Sequence, residues 1–83
     1  MEIIRFTASW CQPCQQLSEW LDEKGLNANV SNVVDIDDKP DLVSEYNIRS
    51  VPTLIKVDNG AVVQSLSGFD HNMIDKLKGF FDV

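Results

Sequence analysis

Histidine, cysteine, basic residues and long apolar runs are all scarce in this sequence, and each shortage excludes a class of protein. One histidine and two cysteines are too few for a structural zinc site within one chain, which needs four ligands. No run of about eighteen apolar residues predicts a transmembrane helix, and no export signal follows Met1. Thirteen acidic against seven basic residues give a net charge of −6, which disfavours binding to nucleic acid or to an anionic membrane.

The rest of the composition is that of a small globular protein. Its 83 residues, 43% hydrophobic and 24% charged, predict a single domain over residues 1–83, too short for two independent cores and of modest stability. We expect a monomer that works in the cytoplasm and has neither a membrane nor a nucleic-acid partner. In that reducing compartment, a lone pair of closely spaced cysteines is more often catalytic than structural.

Both cysteines lie in the segment Trp10-Cys11-Gln12-Pro13-Cys14, which follows an apolar run and starts a helical pattern. Their spacing places the two sulfurs on one face of the first helical turn, where they can close a small disulfide ring. Cys11 lies at the predicted N-cap, where free backbone amides and the helix dipole favour its thiolate. Pro13 fits the first turn because its missing N–H costs nothing there. We therefore predict that Cys11 is the nucleophile and Cys14 the resolving thiol.

Two other interpretations of the cysteine pair stay open. The sulfurs could be inert members of the core, because buried free cysteines are common in protein interiors. They could also hold a metal ion or an iron–sulfur cluster shared between two chains, because one chain alone lacks the remaining ligands. Neither interpretation requires the pair to cycle between dithiol and disulfide.

Hydrophobic periodicity predicts the element order β-α-β-α-β-β-α. A buried central strand precedes the cysteines, and an edge strand follows the first helix through the right-handed crossover that makes the two strands parallel. Asn59-Gly60 is the strongest hairpin signal and predicts antiparallel pairing of the last two strands. The sequence therefore predicts an α/β fold with a mixed four-stranded sheet and three helices. The predicted strands are about 3–7, 29–36, 53–57 and 61–66, and the helices are about 11–24, 40–47 and, behind a cap at Asp70, 71–81.

Three motifs, in the same order, resemble those of the thioredoxin-like family. Segment 10–14 is similar to its WCxPC site, segment 48–53 to its IRxxPT loop, and Asn59-Gly60 and Gly68 to its hairpin and its late glycine. The resemblance covers nearly the whole chain and implies a thioredoxin-like fold in a minimal βαβαββα form, because the chain starts at what corresponds to the family's second strand. It also implies that Pro52 follows a cis bond and faces the cysteines, and that the Val51 backbone pairs with an extended substrate.

The resemblance implies a protein disulfide reductase whose only redox group is its own cysteine pair, with no bound cofactor. No GxGxxG nucleotide motif is present, so we expect electrons from an external donor, an NADPH-dependent thioredoxin reductase. Segment 67–69, Ser-Gly-Phe, is also similar to that of small redoxins that supply electrons to ribonucleotide reductase. The residues that would contact the protein substrate are, by the same resemblance, Trp10, Gln12, Pro13, Val51, Pro52, Thr53 and Gly68.

Three alternative functions stay open at this point. A glutathione-coupled, glutaredoxin-like reductase would need a pocket for the glutathione carboxylates, for which Arg49 is the only nearby cation besides Arg5. A thioredoxin fold used only as a binding module would not need both thiols. An oxidant or isomerase outside the cytosol would have a much more oxidising potential.

Arg5 departs from the family pattern. The family has a buried aspartate six positions before the first cysteine, where it assists proton transfer from the second thiol, but arginine cannot accept a proton at working pH. Burying an unpaired guanidinium is costly, so we expect Arg5 to reach solvent or an acidic partner such as Asp35 or Asp37. We also predict that Arg5 modulates the site by lowering the pKa of Cys11.

Overall fold

Four strands form one mixed sheet in a computed structural model that describes all of residues 1–83. The strands are β1 (Glu2–Thr7), β2 (Asn32–Asp35), β3 (Thr53–Asp58) and β4 (Ala61–Ser67), in the spatial order β2-β1-β3-β4. β1 pairs parallel with β2 and antiparallel with β3, and β3 pairs antiparallel with β4. The predicted mixed sheet, with β1 inside and β2 at an edge, is confirmed.

Three helices pack on this sheet: α1 (Gln12–Glu23), α2 (Pro40–Glu45) and α3 (Ile74–Phe81). Two short 3₁₀ turns, Leu26–Asn29 and His71–Met73, lie where the periodicity predicted the start of the second strand and of the last helix. Asp70 caps the second of these turns by accepting a hydrogen bond from the amide of Asn72, so α3 begins later than predicted. No helix has the length and apolar character needed to cross a membrane.

The two larger apolar clusters of the core lie one on each face of the sheet, because strand residues point alternately to opposite faces. A third, small cluster consists of Ala8, Cys11 and Cys14. Leu54 and Ile55 are neighbours on β3, yet each belongs to a different cluster. The α1 cluster, between the sheet and helices α1 and α3, contains Leu17, Leu21, Leu26, Leu54, Leu77, Phe80 and Phe81. The α2 cluster, on the opposite face, contains Ile4, Phe6, Val34, Ile55 and Val57, with Leu42 and Tyr46 packed against it.

The β3–β4 hairpin turns at Asn59 and Gly60, as the sequence predicted. Both residues have positive φ angles, 53° and 81°, which is the conformation of a type I′ turn. Asparagine and glycine tolerate this left-handed region better than other residues do. The turn fixes the register of β4, whose far end at Ser67 lies opposite Thr53, the first residue of β3. It therefore brings Gly68, which follows β4, to the same edge of the sheet as the cysteines.

Candidate active site

The two cysteines lie where β1 ends and α1 begins. Cys11 is the N-cap of α1, with extended backbone (φ −97°, ψ 109°), and Pro13 occupies the first turn, as the sequence predicted. Cys11 and Cys14 form a disulfide with their Cα atoms 5.3 Å apart. This separation falls in the ordinary range for disulfides, so the first turn of α1 accommodates the bond.

Backbone groups surround the sulfur of Cys11. Its Sγ accepts a hydrogen bond from the amide of Cys14 at 3.2 Å, which satisfies one of the free N–H groups at the start of α1. The amide of Cys11 itself donates to the carbonyl of Ala8 at 3.2 Å, which closes the turn after β1. Cys11 is 5% exposed and Cys14 only 1%. Of the two sulfurs, Cys11 is the more accessible and receives the amide hydrogen bond, an arrangement that favours a thiolate there after reduction.

The loop before β3 faces the disulfide. The Val51–Pro52 peptide bond is cis, as the family resemblance implied. The carbonyl oxygen of Val51 lies 3.7 Å from Cys11 Sγ. Thr53 donates its hydroxyl to the carbonyl of Ser50 at 2.7 Å, which holds the two ends of the loop together.

Gly68 joins this loop through its backbone. Its amide donates to the carbonyl of Pro52 at 2.8 Å, and its φ of 84° is one that glycine adopts readily. Neither the N–H nor the carbonyl of Val51 takes part in the backbone hydrogen bonds of the loops and caps. The N–H of Val51 thus has no backbone partner, and its carbonyl faces the sulfur of Cys11.

Trp10 projects from the loop in front of Cys11 and is 67% exposed. Its indole N–H donates to the carboxylate of Asp37 at 3.0 Å, and Asp35 in turn accepts the amide of Asp37 at 2.9 Å. Sequence reasoning missed Asp37 as the partner of Trp10 and offered it instead as a partner of Arg5. The available signal was topological: β1 and β2 are parallel, so the loops that follow them meet at one edge of the sheet. Gln12, next to the disulfide, is also exposed.

Arg5 lies on the inner side of the site, beneath α1, and is only 8% exposed. Arg5 forms no ion pair with Asp35 or Asp37, so that part of the expectation is wrong. Its Nε is buried without a hydrogen-bond partner, while the side chain lines a surface cleft, which fits the alternative expectation that Arg5 reaches solvent. Burial lowers the pKa of Arg5, and the charge of Asp22 on α1 acts in the opposite direction. Arginine stays protonated even so, and the site therefore contains a buried positive charge.

Comparison of the sequence with models of known protein families gives a match over nearly the whole chain. The family model described as thioredoxin matches residues 1–81. The chain belongs to the thioredoxin family. The family resemblance inferred from its three motifs is thus confirmed, together with the thioredoxin-like fold.

Relatives of known sequence are thioredoxins from several kingdoms. Mouse mitochondrial thioredoxin is 37% identical over 81 residues, which is 94% of this chain and 48% of the relative. Rice thioredoxin H5 is 34% identical over 71 residues, 83% of this chain and 53% of the relative. The chain therefore spans about half the length of these curated thioredoxins.

Solved thioredoxin structures superpose on nearly the whole chain. Thioredoxin from Plasmodium falciparum is 30% identical with a TM-score of 0.79, and the match covers 98% of this chain and 82% of that structure. Thioredoxin from Malassezia sympodialis is 26% identical with a TM-score of 0.81, covering 96% of this chain and 70% of that structure. The disulfide at the start of α1 is therefore the candidate active site of a thioredoxin-family protein.

Proposed function

We propose that this thioredoxin-family chain reduces protein disulfides by cycling the Cys11–Cys14 pair between dithiol and disulfide. The observation that carries the proposal is the position of Cys11: it caps α1, receives the amide of Cys14 and faces the carbonyl of Val51 at 3.7 Å. A sulfur in that place has the electrostatic support a thiolate needs and a backbone edge on which a substrate can align.

The first step is an attack by the reduced protein. The thiolate of Cys11 forms a bond with one sulfur of the substrate disulfide, and the electron pair of the broken bond leaves on the other substrate sulfur, which takes up a proton. The substrate is then covalently bound to Cys11. Free backbone amides at the start of α1 stabilise the negative charge of the Cys11 thiolate before attack, and so disfavour its protonation to the thiol.

The second step releases the substrate. Cys14, one helical turn further, attacks Cys11, so that the Cys11–Cys14 disulfide forms and the substrate leaves as a thiolate that is then protonated. The near-complete burial of Cys14 protects it from direct attack by substrates, which leaves Cys11 as the entry point. The cycle consumes two electrons per substrate disulfide, and an external reductant must return them.

The surface around Cys11 favours a protein as substrate. Four clefts are present in the molecule, and none of them is lined by Cys11. Trp10 instead offers a large exposed aromatic surface next to the sulfur, which suits a macromolecular partner better than a small molecule held in a pocket. We propose that the substrate lies across Trp10, Gln12, Pro13, Val51, Pro52, Thr53 and Gly68.

The electron donor in this proposal is an NADPH-dependent thioredoxin reductase, and the compartment is a reducing one such as the cytoplasm. The large exposed aromatic surface of Trp10 beside Cys11 supports a protein donor over glutathione. Ribonucleotide reductase is a candidate acceptor because of the Ser67-Gly68-Phe69 segment, whose glycine is hydrogen-bonded to Pro52 beside the sulfurs.

An insulin-reduction assay with NADPH and thioredoxin reductase tests the function. We expect Cys11→Ser to abolish turnover and Cys14→Ser to accumulate a mixed disulfide with the substrate, visible by non-reducing electrophoresis and mass spectrometry. Ser50→Ala, in the neighbouring loop, is the matched control and should retain most of the activity, because it is the backbone carbonyl of Ser50 that Thr53 contacts. Full activity of the Cys11 variant would refute the assignment. Faster turnover with glutathione and glutathione reductase would favour the glutaredoxin-like alternative.

A further inference from the structure

Arg5 shares a cleft with only one of the two sulfurs. A cleft of about 230 Å³ beneath the start of α1 is lined by Arg5, by Cys14 and by Asp35, and Cys11 is not part of it. Gln15 and Ser18 of α1 contribute to the same cleft. The site thus has two sides: an outer face, where Cys11 meets Trp10 and Val51, and an inner cleft, where Cys14 meets the only buried cation.

Strand geometry explains how Arg5 comes to lie there. Alternate residues of β1 point to the same face of the sheet, so Arg5 and Thr7 share the face on which Ile3 packs against the α1 cluster. Asp35 is the register partner of Thr7 on β2 and reaches the same face. Cys14, in the first turn of α1, lines the same cleft as Arg5.

The fold holds Arg5 there at a cost in stability. The side chain is more than nine-tenths buried, its Nε has no hydrogen-bond partner, and burial lowers its pKa. Desolvating a cation without full pairing is destabilising. Because Arg5 and Cys14 line the same cleft, the positive charge is placed to act on that sulfur.

We propose that Arg5 accelerates the resolving step by stabilising the thiolate of Cys14 when it attacks Cys11 in the mixed disulfide. This inference rests on the proposed function and changes the expected target of Arg5 from Cys11 to Cys14. The thiol of Cys14 gives its proton to solvent through the cleft. Its sulfur then forms the bond to Cys11, the Cys11–substrate bond breaks, and the electron pair leaves on the substrate sulfur. Cys14 is oxidised and the substrate sulfur is reduced.

Several charges act on Cys14 and set the pH dependence of this step. Arg5 from β1 favours the thiolate, whereas Asp35 from β2, which lines the same cleft, disfavours it. Asp22 from α1 acts on Arg5 itself. The rate of the resolving step rises with pH as Cys14 loses its proton. Removing the positive charge of Arg5 should therefore move the midpoint of this pH profile upward by about one unit, and slow the step about tenfold at pH values below the midpoint.

The neutral disulfide 4,4′-dithiodipyridine, used in less than stoichiometric amount, separates the two steps. The reduced protein releases one thiopyridone when Cys11 attacks and a second when Cys14 resolves the mixed disulfide, and stopped-flow absorbance follows both across a range of pH. We expect Arg5→Gln and Arg5→Met to slow only the second release, and Arg5→Lys to restore it to within about threefold. Lys39→Gln, which removes an exposed cation at the start of α2, is the matched control and should change neither release.

The outcomes separate this inference from the proposed function. Equal second-release rates and equal pH midpoints in the wild type, Arg5→Gln and Arg5→Met would overturn the role of Arg5 while leaving the redox function intact. A slower first release in both neutral variants would also overturn it, because the charge would then act on Cys11. A second release in Cys14→Ser whose rate does not depend on protein concentration, and which therefore does not come from the Cys11 thiolate of another molecule, would instead contradict the proposed function itself.

Discussion

Arg5 presents the clearest conflict between stability and chemistry at the level of a single residue. Its side chain is mostly buried and its Nε is unpaired, and the burial lowers its pKa. Methionine is also unbranched and flexible but has no charge to desolvate, so we expect Arg5→Met to raise the free energy of unfolding by about 1 kcal/mol. Urea denaturation of the reduced protein measures this change. Lys76→Met on the exposed side of α3 should stay within about 0.5 kcal/mol of the wild type; a less stable Arg5→Met would show that the charge is well accommodated.

Residue types alone predicted part of the site. Cys11 at the N-cap and Pro13 in the first turn follow from local rules about helix starts, so their places could be predicted without the fold. The contact between Trp10 and Asp37 spans 27 positions and depends on two parallel strands ending together, which no local pattern contains. The burial of Arg5 could not be predicted either, because a charged residue on a strand is ordinarily expected to reach water or a partner.

Two glycines of this chain, one in a turn and one in a helix, differ in backbone conformation and so in the expected effect of replacing them with alanine. Gly60 has a φ of +81° in the hairpin turn, whereas Gly79 lies in α3 with ordinary helical backbone, and an added Cβ would meet nothing within 4 Å at either position. We expect Gly60→Ala to destabilise the protein by about 1 kcal/mol because of its left-handed backbone. Gly79→Ala should stabilise it by about 0.5–1 kcal/mol through helix propensity. Thermal denaturation of both variants checks the pair, and shifts of the same sign would contradict the conformational explanation.

Elements with strong local signals were predicted well, and those shaped by neighbours were not. The hairpin was fixed by Asn59-Gly60, and α1 by its periodicity and N-cap. β2 is shorter than predicted because Asn29 closes a 3₁₀ turn and only residues from Asn32 onward lie opposite β1. Pairing with a neighbouring strand, which is a tertiary property, sets that boundary.

The whole molecule is held together through β3. Its residues alternate between the α1 cluster and the α2 cluster, as Leu54 and Ile55 show, and it pairs with both β1 and β4. β1 contributes Ile4 and Phe6 to the α2 cluster, packs Ile3 against the α1 cluster, and leads into the loop that carries Cys11. Loss of packing on either face should therefore reach the redox site. We therefore expect residues 1–83 to unfold as one cooperative unit, consistent with a single domain.

Core substitutions on the two faces test this expectation. Leu54→Ala and Ile55→Ala remove side chains that are 1% and 2% exposed, so each should lower the free energy of unfolding by about 2–5 kcal/mol. Trp20 packs against the α1 cluster, so in a Trp10→Phe background, where it is the only tryptophan, its fluorescence reports on that face, whereas far-ultraviolet circular dichroism reports on the whole chain. For Ile55→Ala, whose cavity lies on the opposite face, both signals should shift to the same lower urea midpoint. Val63→Ala on β4, which is exposed, serves as the control and should change stability by less than about 0.5 kcal/mol. Fluorescence that keeps the wild-type midpoint in Ile55→Ala would mean that the two faces unfold separately.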